Sequence, residues 1–127
     1  MASLLLVDDE RNVHDLVRRV IEGKTRHQVD AVLTASDALA RLRKNRYDLI
    51  LLDLHMPDCD GREFVRRMRA AGFTVPVVIL SGLPRDEIEA AVTSLEALDW
   101  VAKPFEMQRL LQVCERALAP PPPEKAD

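Results

Sequence analysis

The stretch DLILLDLHMP, residues 48–57, predicts a short strand that is buried on both faces and ends in a carboxylate. Residues 49–52 are all apolar and lack the polar alternation of a half-exposed strand. Asp53 follows them directly, and a buried carboxylate is costly unless it has a partner or a chemical role. Pro57 and a turn-forming segment at 58–61 then end the strand. Because open parallel sheets bind ligands at the carboxyl ends of their strands, Asp53 is the first candidate functional residue.

Composition sets the size and the broad class of the protein. The chain has 127 residues, 47% of them apolar, and a formal net charge of −3, which suits one domain with its own core. The first residues lack the basic segment of a secretory signal and no apolar run approaches a membrane span, so we expect no membrane association and a cytoplasmic location. The negative charge argues against direct nucleic-acid binding. Cys59 and Cys114 fit neither a disulfide framework nor a zinc site, and both are predicted to be free thiols.

Strand-like runs alternate with helix-like segments along the chain. Besides residues 48–57, apolar runs at 4–7, 75–80 and 100–102 and an alternating segment at 28–33 predict strands. The run at 28–33 places Val29, Ala31 and Leu33 on one side and polar residues on the other, which is typical of an edge strand.

The segments between these runs have the 3.6-residue period of helices that bury one face. The predicted buried stripe of the first helix comprises Val13, Leu16, Val17, Val20 and Ile21, and that of the last comprises Met107, Leu110, Leu111, Cys114 and Leu118. Gly23 is expected to end the first helix, Thr34 to cap the second and Pro84 to lie in the first turn of the fourth. Five successive strand–helix pairs predict an α/β domain with a parallel sheet and helices on both faces.

The predicted domain spans residues 1–119. Residues 120–123 are all proline, and such a run forms stiff polyproline II rather than part of a core. We therefore interpret residues 120–127 as a Pro-rich tail or the start of a linker to an output domain.

Polar residues follow four of the predicted strands. They are Asp8 and Asp9 after the first, Asp53 after the third, Ser81 after the fourth and Lys103 after the fifth. In a parallel sheet these residues lie at one edge, and clustered carboxylates need a compensating cation. Oxygen ligands favour Mg²⁺, while a hydroxyl and an ammonium can stabilise phosphoryl oxygens. This chemistry indicates phosphoryl transfer onto the central carboxylate as an acyl phosphate.

Each of these residues also has an ordinary structural explanation. Asp8 and Asp9 could simply favour the N-terminus of the first helix, Asp53 could be a turn residue, Ser81 a helix cap and Lys103 a solvated lysine. Their joint placement after four different strands favours the shared site.

The same positions carry a resemblance to a known family. The matching residues are Asp8 and Asp9, Asp53 within Asp-Leu-His-Met-Pro and followed by Gly61, then Ser81-Gly82 and Lys103-Pro104-Phe105. Over roughly residues 4–118 the chain resembles a bacterial two-component response-regulator receiver domain. The resemblance implies a flavodoxin-like, doubly wound five-stranded parallel sheet in the order 2-1-3-4-5, with five helices on both faces.

The resemblance also implies roles for the site residues. Asp53 would accept a phosphoryl group from a histidine of a sensor kinase or a phosphotransfer protein. Asp9 and Asp53 would bind Mg²⁺ directly, Asp8 mostly through water, and His55 through its backbone carbonyl rather than its ring. The remaining two positions, Ser81 and Lys103, would hold the phosphoryl oxygens.

Signal output is a further implication of the resemblance. Movement of Ser81 toward the phosphoryl group would let Trp100 turn inward and remodel the surface formed by the fourth helix, fifth strand and last helix. The fourth and last helices are also the expected surface of a homodimer. The domain would be a signalling switch that catalyses only its own phosphorylation and dephosphorylation.

Two other functions are compatible with parts of the pattern. A pseudo-receiver would use the same fold as a phosphorylation-independent interaction module, although its acids and Lys103 would then have no purpose. A phosphatase of the haloacid dehalogenase type would also use an aspartate nucleophile. That chemistry needs a second acid two residues later, where this chain has His55.

The chain departs from the family pattern at three positions. Trp100 stands where Tyr or Phe is usual, and its larger ring needs more space to turn inward. The usual Gly-Ala after the fourth helix is Glu96-Ala97, so that helix must end without a glycine cap. Leu83 is apolar and cannot position an attacking water, so we predict slow loss of the phosphoryl group.

The Leu83→Glu variant tests this last prediction. A carboxylate at this position can orient water, so dephosphorylation should become faster than in the wild type. The decay of the phosphorylated form, followed by intact mass, gives the rate. An unchanged or slower decay would contradict the prediction that Leu83 slows the loss of the phosphoryl group.

Overall fold

The computed structural model describes residues 1–119 and has the predicted α/β architecture. The strands are β1 (Ser3–Val7), β2 (Gln28–Val32), β3 (Leu49–Asp53), β4 (Val77–Ser81) and β5 (Asp99–Ala102). The helices are α1 (Arg11–Lys24), α2 (Ala35–Lys44), α3 (Gly61–Ala70), α4 (Arg85–Leu95) and α5 (Met107–Leu118). All strands are parallel, in the order β2-β1-β3-β4-β5, which confirms the predicted topology. The proposed Pro-rich tail at 120–127 lies outside the described residues.

The central strand β3 is apolar throughout because helices cover both faces of the sheet. Leu49 and Leu51 pack with the buried faces of α1 and α5, whereas Ile50 and Leu52 pack with those of α2, α3 and α4. All four side chains are fully buried, and each contributes about 1.5–3 kcal/mol of hydrophobic free energy. The strand that carries Asp53 at its end is therefore held rigidly on both sides. Within residues 1–119, no helix is both long and apolar enough to span a membrane.

Strand β2 is an edge strand, as predicted, and side chains of α1 bind its outer edge. The guanidinium Nε of Arg18 donates to the carbonyl oxygen of Val29 over 3.1 Å. The backbone N–H of Val29 donates to the carboxylate of Glu22 over 3.0 Å. The predicted alternation was wrong at the end of this strand. β2 stops at Val32, which is buried on the face of the sheet opposite to Val29, and Leu33 is only half-buried.

Several predicted helix details need correction. Leu16 is 37% exposed, because its position on α1 faces the carboxyl edge of the sheet rather than its centre. The helix also continues past Gly23 to Lys24. In α5, Val113 is buried although it was not part of the predicted stripe. Met107, which was predicted to be buried, lies in the first turn and is 49% exposed. Pro84 lies just before α4 as its N-cap rather than inside the first turn.

Two helix ends adopt the left-handed backbone conformation. Gly72 follows α3 with φ 93°, a conformation that glycine adopts without the steric cost of a Cβ. At the end of α4 the same role falls to Glu96, with φ 54°. A side chain in this region costs about 1–2 kcal/mol, so α4 ends under conformational strain.

We expect Glu96→Gly to raise the free energy of unfolding by about 0.5–1 kcal/mol, since glycine relieves the strain but loses more chain entropy. Gly72→Ala should lower the free energy of unfolding, because alanine would have to adopt the strained positive φ. A steric clash does not contribute, since an added Cβ would meet no neighbouring atom there. Urea unfolding of both variants measures the difference. Equal stability of Glu96→Gly and wild type would argue against strain at this end.

Candidate functional site

The buried polar side chains of the described chain converge at the carboxyl edge of the sheet. They are Asp8, Asp53 and Ser81, with exposed fractions of 0%, 4% and 0%. Asp53 and Leu80 are register partners of β3 and β4, and the backbone N–H of Lys103 donates to the carbonyl of Ser81 over 2.8 Å. Sheet register therefore brings the ends of β1, β3, β4 and β5 together at this edge, where the residues after each strand were predicted to meet.

Lys103 is the cation that joins the acids. Its Nζ lies 2.7 Å from Oδ2 of Asp8, 3.3 Å from Oδ2 of Asp53 and 3.5 Å from Oε1 of Glu10. Burial lowers the pKa of Lys103, but the hydrogen bond to Asp8 and the negative charges of Asp53, Asp8 and Glu10 outweigh it and raise the pKa above its ordinary value. The ammonium is therefore firmly charged at neutral pH and neutralises part of the acidic cluster.

The two oxygens of Asp53 have different partners. Oδ1 accepts the backbone N–H of His55 over 3.1 Å, and Oδ2 faces Lys103. Burial raises the pKa of the Asp53 carboxyl, and the nearby charge of Asp8 adds to the rise. The His55 N–H and the Lys103 charge offset only part of it. Ionised Asp53 is thus incompletely compensated by the protein alone, so an added cation would stabilise it.

Gly61 allows α3 to begin very close to the end of β3. Its N–H donates to the carbonyl of Leu54 over 2.9 Å. A Cβ at this position would lie 2.9 Å from both the carbonyl oxygen of Asp53 and the Cα of Leu54, closer than van der Waals contact allows. Glycine is therefore required for the tight turn that brings the chain back beside Asp53.

An oxygen-rich group next to Lys103 could hold a metal ion. One carboxylate oxygen each from Asp8, Asp9 and Glu10 lie within 4.8 Å of one another. Hard oxygen donors beside open solvent suit Mg²⁺, which retains several waters. Asp53 lies outside this group but shares Lys103 with it. Glu10 was missing from the predicted site, although it continues the acidic run after β1.

Gly82 and Leu83, which follow the buried Ser81, form one wall of an open cleft of about 700 Å³ beside Asp53. The Ser81 hydroxyl oxygen accepts the backbone N–H of Leu83 over 3.0 Å. Leu16, Leu83 and Phe105 line the cleft beside the acids, and the exposed ring of His55 borders it. The cleft is therefore lined both by acidic side chains and by an apolar group, Leu16, Leu83 and Phe105, which we call the apolar rim. The rim was not predicted, because Leu16 had been assigned to the core.

Trp100, the predicted switch residue, lies outside the residues that line this cleft. Its ring centroid is 5.7 Å from Cζ of Arg85 on α4 and 5.8 Å from Cζ of Arg109 on α5. Arg109 also donates to the carbonyl oxygen of Trp100 over 3.0 Å and to Asp99 over 3.2 Å. Trp100 thus connects α4, β5 and α5 through stacked cations.

Comparison with known proteins identifies the family to which this fold belongs. The family model described as response regulator receiver domain matches residues 4–115. This chain belongs to the response regulator receiver family. The receiver domain is 34% identical over 115 residues to the regulatory protein VanRB of Enterococcus faecalis, covering 91% of this chain and 51% of that protein. It is 36% identical over 111 residues to the two-component response regulator PhoP of Pseudomonas aeruginosa, covering 85% and 48%.

Solved structures support the same assignment. The chemotaxis response regulator CheY4 of Vibrio cholerae matches with a TM-score of 0.82 and 30% identity, covering 93% of this chain and 99% of that one. NtrX of Brucella abortus matches with a TM-score of 0.84 and 31% identity, covering 92% and 26%. This receiver domain spans about half the length of the curated relatives VanRB and PhoP.

The raised pKa of Asp53 predicts a pH-dependent effect of Asp53→Asn in the metal-free receiver domain. Because the folded-state pKa lies above the unfolded value, ionisation of Asp53 opposes folding at neutral pH. The variant should therefore unfold at a higher temperature than wild type at pH 7. This difference should disappear as the pH falls below the ordinary aspartate value of about 4.

Lys103→Gln is the matched control for this measurement. It removes the charged donor of the buried Asp8, so it should lower the free energy of unfolding by about 1–3 kcal/mol. A stabilising Lys103→Gln, or a destabilising Asp53→Asn at pH 7, would contradict the assigned charge balance.

Proposed function

We propose that this receiver domain accepts a phosphoryl group on Asp53 from a phosphohistidine of a sensor kinase or a phosphotransfer protein. The observation that carries the proposal is the placement of Asp53. It is a buried carboxylate beside an open cleft, oriented through Oδ1 by the His55 N–H and facing Lys103 through Oδ2. These contacts fix the direction of a carboxylate nucleophile.

The proposed reaction is a direct transfer between two nucleophiles. An oxygen of Asp53 attacks phosphorus, a P–O bond forms as the P–N bond to the donor imidazole breaks, and the imidazole leaves with the bonding electron pair and takes up a proton. The product is an acyl phosphate on Asp53. Lys103 and the Ser81 hydroxyl would hold the phosphoryl oxygens, with Lys103 exchanging a carboxylate contact for a phosphoryl contact.

Mg²⁺ is the proposed cofactor. Asp9 and Asp53 would bind it directly, Asp8 mostly through water, and His55 through its carbonyl oxygen. Glu10 is close enough to Asp8 and Asp9 to contribute to the same cluster. The ion would neutralise the clustered acids and the transferred phosphoryl oxygens.

The proposed output is a change in the surface of α4, β5 and α5. Ser81 ends β4, and Trp100 lies on the neighbouring strand between Arg85 and Arg109. Movement of Ser81 would therefore be transmitted to a ring held by both flanking helices. A homodimer through α4 and α5, or an output domain after the Pro-rich segment, would receive this change.

Intact mass spectrometry after incubation with acetyl phosphate and Mg²⁺ tests the proposal. The wild type should gain one phosphoryl group, and Asp53→Asn should gain none, because an amide cannot form the acyl phosphate. Omitting Mg²⁺ should reduce the gain by at least about tenfold. Calorimetry with Mg²⁺ alone should show binding to the wild type and weaker binding to Asp53→Asn.

Two results would contradict the proposal. Equal phosphorylation of wild type and Asp53→Asn would assign the acceptor to another residue. A wild type that neither gains a phosphoryl group nor binds Mg²⁺ would favour the phosphorylation-independent interaction module.

A further inference from the structure

An aspartate in the loop between β3 and α3 is bonded to the start of α2. Oδ1 of Asp58 accepts the backbone N–H of Ala35 over 3.0 Å. Oδ2 accepts both the backbone N–H and the hydroxyl of Ser36, each over 3.0 Å. These bonds join parts of the chain that are 22 and 23 residues apart in sequence. The Asp58 carboxylate therefore anchors the loop to a separate helix.

The charge of Asp58 is well suited to this anchor. Its slight burial raises the pKa, but the N–H groups of Ala35 and Ser36 outweigh that effect and lower the pKa below its ordinary value. A carboxylate at a helix N-terminus is also favoured by the helix dipole. The anchor is thus ionised and intact at neutral pH.

The rest of the loop, residues 54–60, has few other fixed points. Leu54 is fully buried in the hydrophobic core, Met56 and Cys59 pack partly against that core, and His55, Pro57 and Asp60 are exposed. The Gly61 N–H holds the loop at Leu54. Between Leu54 and Asp60, the side-chain hydrogen bonds that join the loop to α2 all come from Asp58.

The same loop carries the N–H that orients the proposed nucleophile. His55 donates this N–H to Oδ1 of Asp53 over 3.1 Å, while its own side chain is exposed. The His55 N–H belongs to the same planar peptide unit as the Leu54 carbonyl, which accepts the Gly61 N–H over 2.9 Å. The path of the chain between Leu54 and Gly61 therefore determines where the N–H points. Displacing the loop would therefore disturb Asp53 without changing any residue that contacts the phosphoryl group.

We propose that Asp58 is a positioning residue for phosphoryl acceptance: by anchoring the loop to α2, it holds the His55 N–H against Oδ1 of Asp53 and keeps Oδ2 directed to Lys103. This role rests on the proposed function of Asp53. It assigns a second task to α2, whose N-terminus supports the loop beside the nucleophile. The loop and α2 thus form one unit around one side of the site.

Thr34 provides the matched control. Its Oγ1 accepts the backbone N–H of Asp37 over 3.1 Å and caps the same helix, whereas the side-chain hydrogen bonds from α2 to the loop go to Asp58. Thr34→Ala and Asp58→Ala should both lower the unfolding temperature of the domain by a similar amount through loss of a cap. Only Asp58→Ala also releases the loop, so a difference between the two variants reports positioning rather than helix stability.

The experiment compares wild type, Asp58→Ala, Asp58→Asn and Thr34→Ala, each as the 127-residue chain. The first readout is the hydrogen-exchange rate of the His55 amide by NMR. The second is the initial rate of phosphorylation by acetyl phosphate at saturating Mg²⁺. Asp58→Ala should exchange about tenfold faster and be phosphorylated about tenfold more slowly than wild type. Asp58→Asn, which keeps one acceptor oxygen, should be intermediate, and Thr34→Ala should stay within about twofold of wild type in both.

The outcomes separate this role from the proposed function. If the wild type is phosphorylated and Asp58→Ala matches Thr34→Ala in both readouts, Asp58 has no positioning role. Faster exchange with an unchanged phosphorylation rate would also overturn it, since the His55 contact would then not affect the reaction. A wild type that accepts no phosphoryl group would overturn the function of Asp53 and, with it, the role of Asp58.

Discussion

The ammonium of Lys103 lies 2.7 Å from Asp8 and 3.3 Å from Asp53, and both carboxylates are buried. Removing two like charges from water beside each other is unfavourable unless a cation stands between them. Lys103 can occupy that place only because β5 ends beside β4, β4 beside β3 and β3 beside β1. The charge balance of the site therefore depends on the strand order of the sheet.

The rigid, apolar sheet explains how such a polar edge can persist. Leu49, Ile50, Leu51 and Leu52 are fully buried between helices on both faces, so the end of β3 cannot move without disturbing the core. Gly61 then returns the chain so close to the strand end that its N–H donates to the Leu54 carbonyl over 2.9 Å and no Cβ fits there. Precision at Asp53 thus comes from hydrophobic packing on one side and close backbone approach on the other.

The sequence predicted those parts of the structure that depend on local pattern. Continuous apolar runs identified the strands, and the polar residues after them converge as expected because parallel strands share one carboxyl edge. Membership of the family agrees with the resemblance drawn from those residues. The chemical roles of Asp53, Ser81 and Lys103 stay predictions, since they concern a reaction rather than a position.

Local pattern could not identify features that depend on the angle at which elements meet. Periodicity assigned Leu16 to the core, but the first turns of α1 extend beyond the sheet toward the cleft, where that side chain is partly exposed. Similarly, the bonds of Asp58 join residues more than twenty positions apart. No sequence spacing indicates such a contact. Both features lie beside the site.

The side chains that α1 places along β2 have a consequence for the behaviour of the protein in concentrated solution. An open strand edge can recruit a strand of another molecule and start ordered aggregation. Arg18 and Glu22 already bind the carbonyl and N–H of Val29, the second residue of that edge strand. A foreign strand would have to displace both charged groups before it could pair. The first helix thus protects the exposed margin of the sheet while its other face completes the core.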